Sequence, residues 1–174
     1  AYLDAFAAAP QIEVFAKAGY DVVYVARSDE KVEKVRAALQ KSLDRAVSKG
    51  RLSEEDRDAI LARVCGTTKH EDLGRVDIVV EAIVEDLETK KELFRTLDRV
   101  CKPGAILATT TSSLSIDVLA EQTARPADVI GMHFFNPAPV MKLVEVVSGA
   151  ETAADVTATT VALCKAVRKH PVLC

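Results

Sequence analysis

Short apolar runs alternate with longer amphipathic segments along most of the chain. Residues 21–26 and 76–82 are continuous β-branched runs, which are typical of strands buried on both faces. Further strands are expected at residues 64–68, 105–110, 129–133 and 143–147. Alternation of strands with helical segments predicts right-handed crossovers and a parallel sheet covered on both faces. We therefore expect a doubly wound α/β fold.

Capping residues mark the helical segments. Ser28 precedes a helix that runs to about residue 49 and ends at Gly50. Ser53 begins a second helix that runs to about residue 63. Other helices are expected at residues 86–100, 116–122 and 153–169.

Composition and charge narrow the class of protein. The chain has 174 residues, 49% of them hydrophobic, and a net charge of −3. We therefore expect one globular domain, residues 1–174, and neither nucleic acid nor a membrane as partner. No apolar run approaches the roughly 20 residues that span a bilayer. The first residues lack the basic start of a signal peptide, so a cytoplasmic location is expected.

The four cysteines are scattered along the chain. Cys65, Cys101, Cys164 and Cys174 include no CxxC pair. We expect reduced core residues rather than a disulfide framework or a metal site. No metal is therefore predicted.

Polar residues cluster after the predicted strands, where doubly wound sheets bind ligands. Glu85 follows one strand and Ser112 follows the next. His133 ends a third strand and is followed by Asn136, and Glu145 lies within the strand after it. This edge of the sheet is the expected site.

Three stretches in this region resemble a known family: DIVVEAIVEDLETKKELFRTLD, TTTSSLSI and GMHFFNPAPVMKLVEVV. They are similar to the nucleotide-binding domain of short-chain 3-hydroxyacyl-CoA and 3-hydroxybutyryl-CoA dehydrogenases, from about Val14 to the last residue. The resemblance implies a Rossmann-like fold and an oxidoreductase of fatty acid metabolism. The expected reaction moves a hydride between NAD and the 3-hydroxyl carbon of a short-chain acyl-CoA.

The resemblance also implies a role for each site residue. His133 would be the base that takes the proton of the substrate hydroxyl, a task suited to the imidazole pKa. Glu145 would hold the other ring nitrogen. Ser112 would hydrogen-bond the reacting oxygen, and Asn136 would help fix the geometry of substrate and cofactor.

Further positions of the resemblance lie along the ligands. Those along the dinucleotide are Arg27, Ala82, Ile83, Glu85, Lys90 and Thr110. Ser42 and Lys49, two turns apart on one helix face, match positions that touch the CoA moiety, where a lysine suits the phosphates.

The chain departs from the family pattern at positions that bind the cofactor. Leu3, Ala5 and Ala8 stand where the family has the glycines that allow close approach to the pyrophosphate. Only three residues precede that loop, so the central first strand is degenerate or missing. Ala26 replaces the usual acid and Arg27 follows it, which makes NADP possible beside NAD.

Two other departures leave the function open. Thr110 replaces an asparagine that the family places before Thr-Ser-Ser. The helical second domain of the family is absent, and with it part of the acyl-CoA pocket and the surface through which a homodimer is expected. The chain alone is therefore expected to be an incomplete catalyst.

Two alternatives compete with the dehydrogenase interpretation. A non-catalytic nucleotide- or CoA-binding module is favoured by the missing glycines. A hydrolase could use Ser112, His133 and Glu145, but no GxSxG motif is present and the order of these residues differs from that of α/β-hydrolases.

Overall fold

The computed structural model describes residues 2–3 and 10–174. Within these residues, eight strands form one sheet in the order β3-β2-β1-β4-β5-β6-β7-β8. The strands are β1 Tyr2–Leu3, β2 Val22–Val25, β3 Val64–Thr67, β4 Ile78–Ala82, β5 Ile106–Thr109, β6 Val129–Phe134, β7 Leu143–Ser148 and β8 His170–Leu173. The order of the first six strands is that of doubly wound dinucleotide-binding folds, so the predicted fold class is confirmed.

Neighbouring strands of the described sheet are parallel except for β6 and β7, which run antiparallel. The edge strand β8 is parallel to β7, so both of these strands run opposite to the other six. The expectation of a wholly parallel sheet is wrong here, because residues 135–142 are too few for a crossover, which takes a dozen or more residues. The reversal places the residues of β7 directly opposite those of β6.

Helices cover both faces of the sheet. They are α1 Pro10–Lys17, α2 Asp29–Ser48, α3 Glu54–Ala62, α4 Leu87–Val100, α5 Ile116–Ala120 and α6 Ala154–Ala166. The predicted caps are confirmed, since Ser28 accepts from the Lys31 amide and Ser53 from the Asp56 amide. Gly50, just past α2, has a φ of 66°, which favours glycine.

The core is divided by the sheet into two clusters. One packs α1, α2, α3 and α6 against one face, around Phe15, Leu43 and Met132. The other packs α4 and α5 against the opposite face, around Phe94 and Leu107. Burial of both faces explains the continuous apolar character of the central strands.

The cysteines only partly follow the prediction. All four are free thiols, and Cys101 and Cys164 lie in the core. Burial raises the pKa of Cys164 to about 11. Cys65 and Cys174 are exposed, so their assignment to the core is wrong.

The first strand is degenerate rather than missing. Tyr2–Leu3 lies between β2 and β4, with Tyr2 opposite Val25 and Leu3 opposite Ala82. The loop that follows, with the altered positions Ala5 and Ala8, lies outside the described residues, as does the Leu3 side chain.

The end of the chain also differs from the prediction. The last helix ends at Ala166 rather than near residue 169, and β8 follows it. Arg168 has a φ of 62°, and its left-handed conformation ends the helix. Pro171 is compatible with β8 because this strand forms the edge of the sheet.

Candidate active site

His133 and Glu145 face each other across the antiparallel pair of β6 and β7. They are register partners, and His133 Nδ1 lies 2.8 Å from Glu145 Oε2. A carboxylate can only accept a hydrogen bond, so the Nδ1 proton points at Glu145 and Nε2 remains available. The His133 side chain is 22% exposed, and the Phe135 ring centroid lies 4.8 Å from the imidazole centroid. The ring is therefore held in one orientation and still accessible.

A buried ion pair lies behind the ends of β4 and β5. Lys90 Nζ, on α4, lies 2.6 Å from Glu81 Oε1, and both side chains are at most 1% exposed. Glu81 also accepts from the Ile83 amide and from the Thr109 hydroxyl, each at 2.7 Å. These donors offset the cost of removing the carboxylate from water. Glu81 was missed by the sequence analysis, although a lone acid inside an apolar strand signals a buried partner.

Glu85 joins this pair to the loop after β5. It accepts from the Thr111 hydroxyl and from the Ser112 amide, the latter at 3.0 Å, and lies 3.4 Å from Lys90 Nζ. Burial raises the pKa of Glu85, but the hydrogen bonds and the Lys90 charge outweigh it, so its pKa lies below the usual range. Lys90 was expected along the cofactor. Its ammonium lies in the interior between two carboxylates, with Glu85 on the accessible side.

The carboxyl ends of β4, β5 and β6 meet at one edge. Glu81 is opposite Thr109, and Thr109 is opposite Gly131. The residues that follow these strands therefore lie on the same side of the sheet, among them the exposed Ser112 and Asn136. The remaining predicted positions at this edge are the partly buried Ala82 and Thr110 and the buried Ile83.

The end of β2 differs from this edge. Ala26 is 2% exposed and carries no polar group, and the exposed Arg27 follows it. Ser28 then caps α2, whose first turn contains Asp29 and Glu30. The strand therefore ends without the carboxylate that usually accepts ribose hydroxyls.

Ser42 and Lys49 line one groove, with a cavity volume of ≈ 940 Å³, between α1, α2, the turn after α6 and the loop before β7. Seven cations line this basic groove: Lys17, Arg45, Lys49, Arg51, Lys142, Arg168 and Lys169. The Ser42 hydroxyl donates to Glu13 Oε2 at 2.7 Å, and Glu13 also pairs with Lys17. Most of these cations were missed because they come from separate elements. Arg45 could have been found, since it lies between Ser42 and Lys49 on the helix face.

Two features are not found in the part of the chain that the structure describes. None of its helices has both the length and the apolar character needed to cross a bilayer. Nor do its residues place three His, Cys, Asp or Glu side chains where they could hold a metal ion.

The sheet order defines a Rossmann-like domain, and an accessible His–Glu pair lies at the carboxyl end of its strand β6. The chain belongs to the 3-hydroxyacyl-CoA dehydrogenase family, whose model "3-hydroxyacyl-CoA dehydrogenase, NAD binding domain" matches residues 9–174. This match confirms the resemblance in sequence and assigns the domain to NAD binding.

Individual relatives agree with the family. The chain is 46% identical over 161 residues to a 3-hydroxybutyryl-CoA dehydrogenase of Clostridioides difficile, a match that covers 92% of this chain and 57% of that protein. A 3-hydroxyadipyl-CoA dehydrogenase of Escherichia coli is 42% identical, with 93% of this chain and 34% of that protein covered. The chain thus spans 57% of the length of the first relative and 34% of the length of the second.

Solved structures share the fold. A crystal structure of 3-hydroxybutyryl-CoA dehydrogenase from Escherichia coli matches with a TM-score of 0.96 and 40% identity, over 99% of this chain and 37% of that one. A (S)-3-hydroxybutyryl-CoA dehydrogenase from Ralstonia eutropha matches with a TM-score of 0.92 and 40% identity, over 94% and 58%. The described fold therefore corresponds to part of each of these longer chains.

Proposed function

We propose that the protein containing this chain oxidises the 3-hydroxyl group of a short-chain 3-hydroxyacyl-CoA to a ketone, and catalyses the reverse reaction. The observation that carries the proposal is the 2.8 Å contact between His133 Nδ1 and Glu145 Oε2 in an accessible site. The names of the relatives, which act on 3-hydroxybutyryl-CoA or 3-hydroxyadipyl-CoA, support this substrate class.

His133 is the base of this reaction. Its Nε2 takes the hydroxyl proton as the hydride leaves carbon 3, and returns the proton in the reverse direction. Glu145 holds the Nδ1 proton, so Nε2 carries the lone pair, and its negative charge stabilises the imidazolium that forms. NAD, when bound, accepts the hydride.

Ser112 and Asn136 orient the reacting groups. Both are exposed residues after neighbouring strand ends. The Ser112 hydroxyl donates to the substrate oxygen and the Asn136 amide fixes the substrate against the cofactor. The backbone of Ser112 is held by Glu85, which supports its placement.

The fit to a dinucleotide is uneven. At the ends of β4 and β5, Glu85 and the residues beside it present an ordered polar surface, which fits the nicotinamide half. Lys90 contributes to this surface indirectly, because its buried ammonium lies beside the Glu85 carboxylate and holds it in place. At the end of β2, Ala26 offers no acceptor for ribose hydroxyls, while Arg27 suits a 2′-phosphate. We therefore propose that NADP is accepted beside NAD.

The basic groove is the site of the CoA phosphates in this proposal. Lys49 and Ser42 lie in it as the resemblance implies, and the other cations add to its positive potential. Its seven cations outnumber the two carboxylates of the lining, Glu13 and Asp56, so the groove should attract a polyanionic ligand.

The proposal extends to the location and the oligomeric state of the protein. Free thiols suit a reducing compartment, which supports a cytoplasmic enzyme. A homodimer formed through a second domain remains a proposal. The alternative of a non-catalytic nucleotide- or CoA-binding module is favoured by one observation, the missing acceptor at Ala26.

The test uses the full-length protein. Acetoacetyl-CoA reduction is followed with NADH and with NADPH, for wild type and His133→Gln. We expect turnover by wild type and a loss of about 10²–10⁴-fold in kcat for the variant. Inactivity of wild type with both cofactors would support the binding module instead. A His133→Gln enzyme as active as wild type would remove the proposed base.

A further inference from the structure

Lys169 is a buried lysine in the turn between α6 and β8. It is 6% exposed, and burial lowers its pKa. Its ammonium donates to the carbonyl oxygens of Ala138 and Met141, the latter at 2.7 Å. A buried ammonium requires such acceptors, so its position depends on these two backbone groups.

The turn that carries Lys169 has a defined geometry. The Lys169 amide donates to the Cys164 carbonyl at 2.8 Å and the Arg168 amide to the Lys165 carbonyl at 2.9 Å, the pattern of a Schellman motif. The next amide, of His170, donates to the Lys142 carbonyl at 2.8 Å. Backbone bonds on both sides therefore fix the direction in which the Lys169 side chain leaves the turn.

The acceptors belong to the loop of residues 135–142, which connects the strand of His133 to the strand of Glu145. Its amides at Val140 and Met141 both donate to the Pro137 carbonyl at 2.9 Å. Ala138 packs in the core, but Val140 and Met141 are 71% and 41% exposed, so apolar packing does not hold the second half of the loop. The Lys169 ammonium therefore ties the loop to the domain.

The same loop borders both parts of the proposed substrate site. Asn136 lies near its start, and Pro139, Val140 and Lys142 line the basic groove. A shift of the loop would move the groove wall and Asn136 together, while the β6–β7 ladder that holds the His–Glu pair would remain.

We propose that Lys169 is a positioning residue for acyl-CoA: by holding the Ala138 and Met141 carbonyls, it keeps the 135–142 loop in place as a wall of the substrate site. This inference rests on the proposed function. Lys169 itself need not touch the reacting atoms.

The test compares Lys169→Met with Lys165→Met in the full-length protein. Lys165 is an exposed lysine near the end of α6, so its variant makes the same charge change without touching the loop. Loss of two charge-assisted hydrogen bonds should raise the KM for acetoacetyl-CoA about tenfold, with the KM for NADH changed less than about twofold. Lys165→Met should match wild type. A Lys169→Met enzyme with a lower Tm and an unchanged KM for acetoacetyl-CoA would overturn the proposal.

Two further measurements keep the test decisive. Lys169→Arg retains a cation with several donors and should give a KM between those of wild type and Lys169→Met; it replaces Lys169→Met if that variant does not fold. Amide hydrogen exchange within residues 135–142 should be faster in the variants than in wild type. Exchange does not depend on turnover, so an inactive wild type with faster loop exchange in the variant contradicts the proposed function and not the loop tie. Unchanged amide exchange within residues 135–142 would contradict the proposal that Lys169 holds the loop.

Discussion

The carboxyl edge of the sheet has two unlike halves. At the ends of β4, β5 and β6, polar side chains bind one another across several elements, and Glu81 and Lys90 are fully buried. At the end of β2, the buried Ala26 carries no polar side-chain group and the exposed Arg27 follows it. The first half is a network of buried polar contacts that the fold depends on, and the described residues at the end of β2 contain no such buried ion pair.

The two halves should respond differently to substitution. Removal of one member of a buried ion pair leaves an uncompensated charge, which strongly destabilises a fold. Replacement of an exposed strand-end residue usually changes stability by less than about 0.5 kcal/mol. Cofactor preference can therefore vary at the exposed Arg27, while the network around Glu81 has little freedom.

The largest effect is expected from Lys90→Met, which leaves Glu81 buried without its partner. The variant should lose about 3–5 kcal/mol of stability. The double variant Glu81→Gln/Lys90→Met should recover part of that loss. Lys91→Met, on the same helix with a partner at the surface, is the matched control. Thermal unfolding of the full-length protein measures all three. Equal Tm values for Lys90→Met and Lys91→Met would mean that the buried pair stabilises the fold no more than a surface pair does. That result would contradict the contrast between the two halves.

Next comes Glu145→Gln, which tests the active half. A glutamine amide can donate to Nδ1, which moves the proton to Nε2 and removes the base. The rate of 3-hydroxybutyryl-CoA oxidation should fall about 100-fold or more, with little change in the KM for NAD. The exposed Glu151→Gln should leave the rate unchanged. A full rate in Glu145→Gln would show that the carboxylate does not hold the tautomer.

A smaller effect is expected from Ala26→Asp, which restores an acceptor in the altered half. The carboxylate should bind ribose hydroxyls and repel a 2′-phosphate. The ratio of kcat/KM for NADH to that for NADPH should rise about tenfold. The Tm of the protein without cofactor should fall, because the carboxylate replaces a side chain that is 2% exposed. Arg27→Ala should lower kcat/KM for NADPH alone. A ratio that neither variant changes would remove the β2 end from cofactor selection.

The smallest effect concerns pH. The pKa of Glu85 is depressed in the folded protein, so its stabilising contribution is present above the unfolded value of 4.5 and is lost as pH falls through the folded value. The Tm difference between wild type and Glu85→Gln should therefore be larger at about pH 6 than at about pH 3. The side chain is 38% exposed, so solvent screening keeps the difference small. A gap that grows as pH falls would contradict the network at Glu85.

Much of the fold could be predicted from local signals. Apolar runs located β2, β4 and β6, and Ser28, Ser53 and Gly50 marked helix ends, because caps and strand periodicity are properties of neighbouring residues. The strand β7 was predicted, but its antiparallel direction was missed, and so was the edge strand β8. Their pairing depends on contacts with distant strands, which no local pattern records.

The candidate site divides in the same way. His133 and Glu145 were paired through the family resemblance, and their contact is in the structure, although their roles remain proposals. Glu81 and Glu13 were missed because their partners lie on other elements: Thr109 for Glu81, and Ser42 for Glu13. Ala5 and Ala8 lie outside the described part of the chain, so the effect of replacing the family's glycines on the approach to the pyrophosphate stays a prediction.

The most direct test of the contrast between the two halves is a kinetic comparison of His133→Gln and Ala26→Asp in the full-length protein. We predict that His133→Gln loses about 10²–10⁴-fold in kcat with an unchanged dissociation constant for NADH measured by fluorescence titration. We predict that Ala26→Asp changes the dissociation constants for NADH and NADPH with kcat nearly unchanged. Two results would contradict the account: weaker NADH binding by His133→Gln without slower turnover, or slower turnover by Ala26→Asp without a change in cofactor binding. Either result would mean that proton transfer and cofactor selection are not divided between the two halves as proposed.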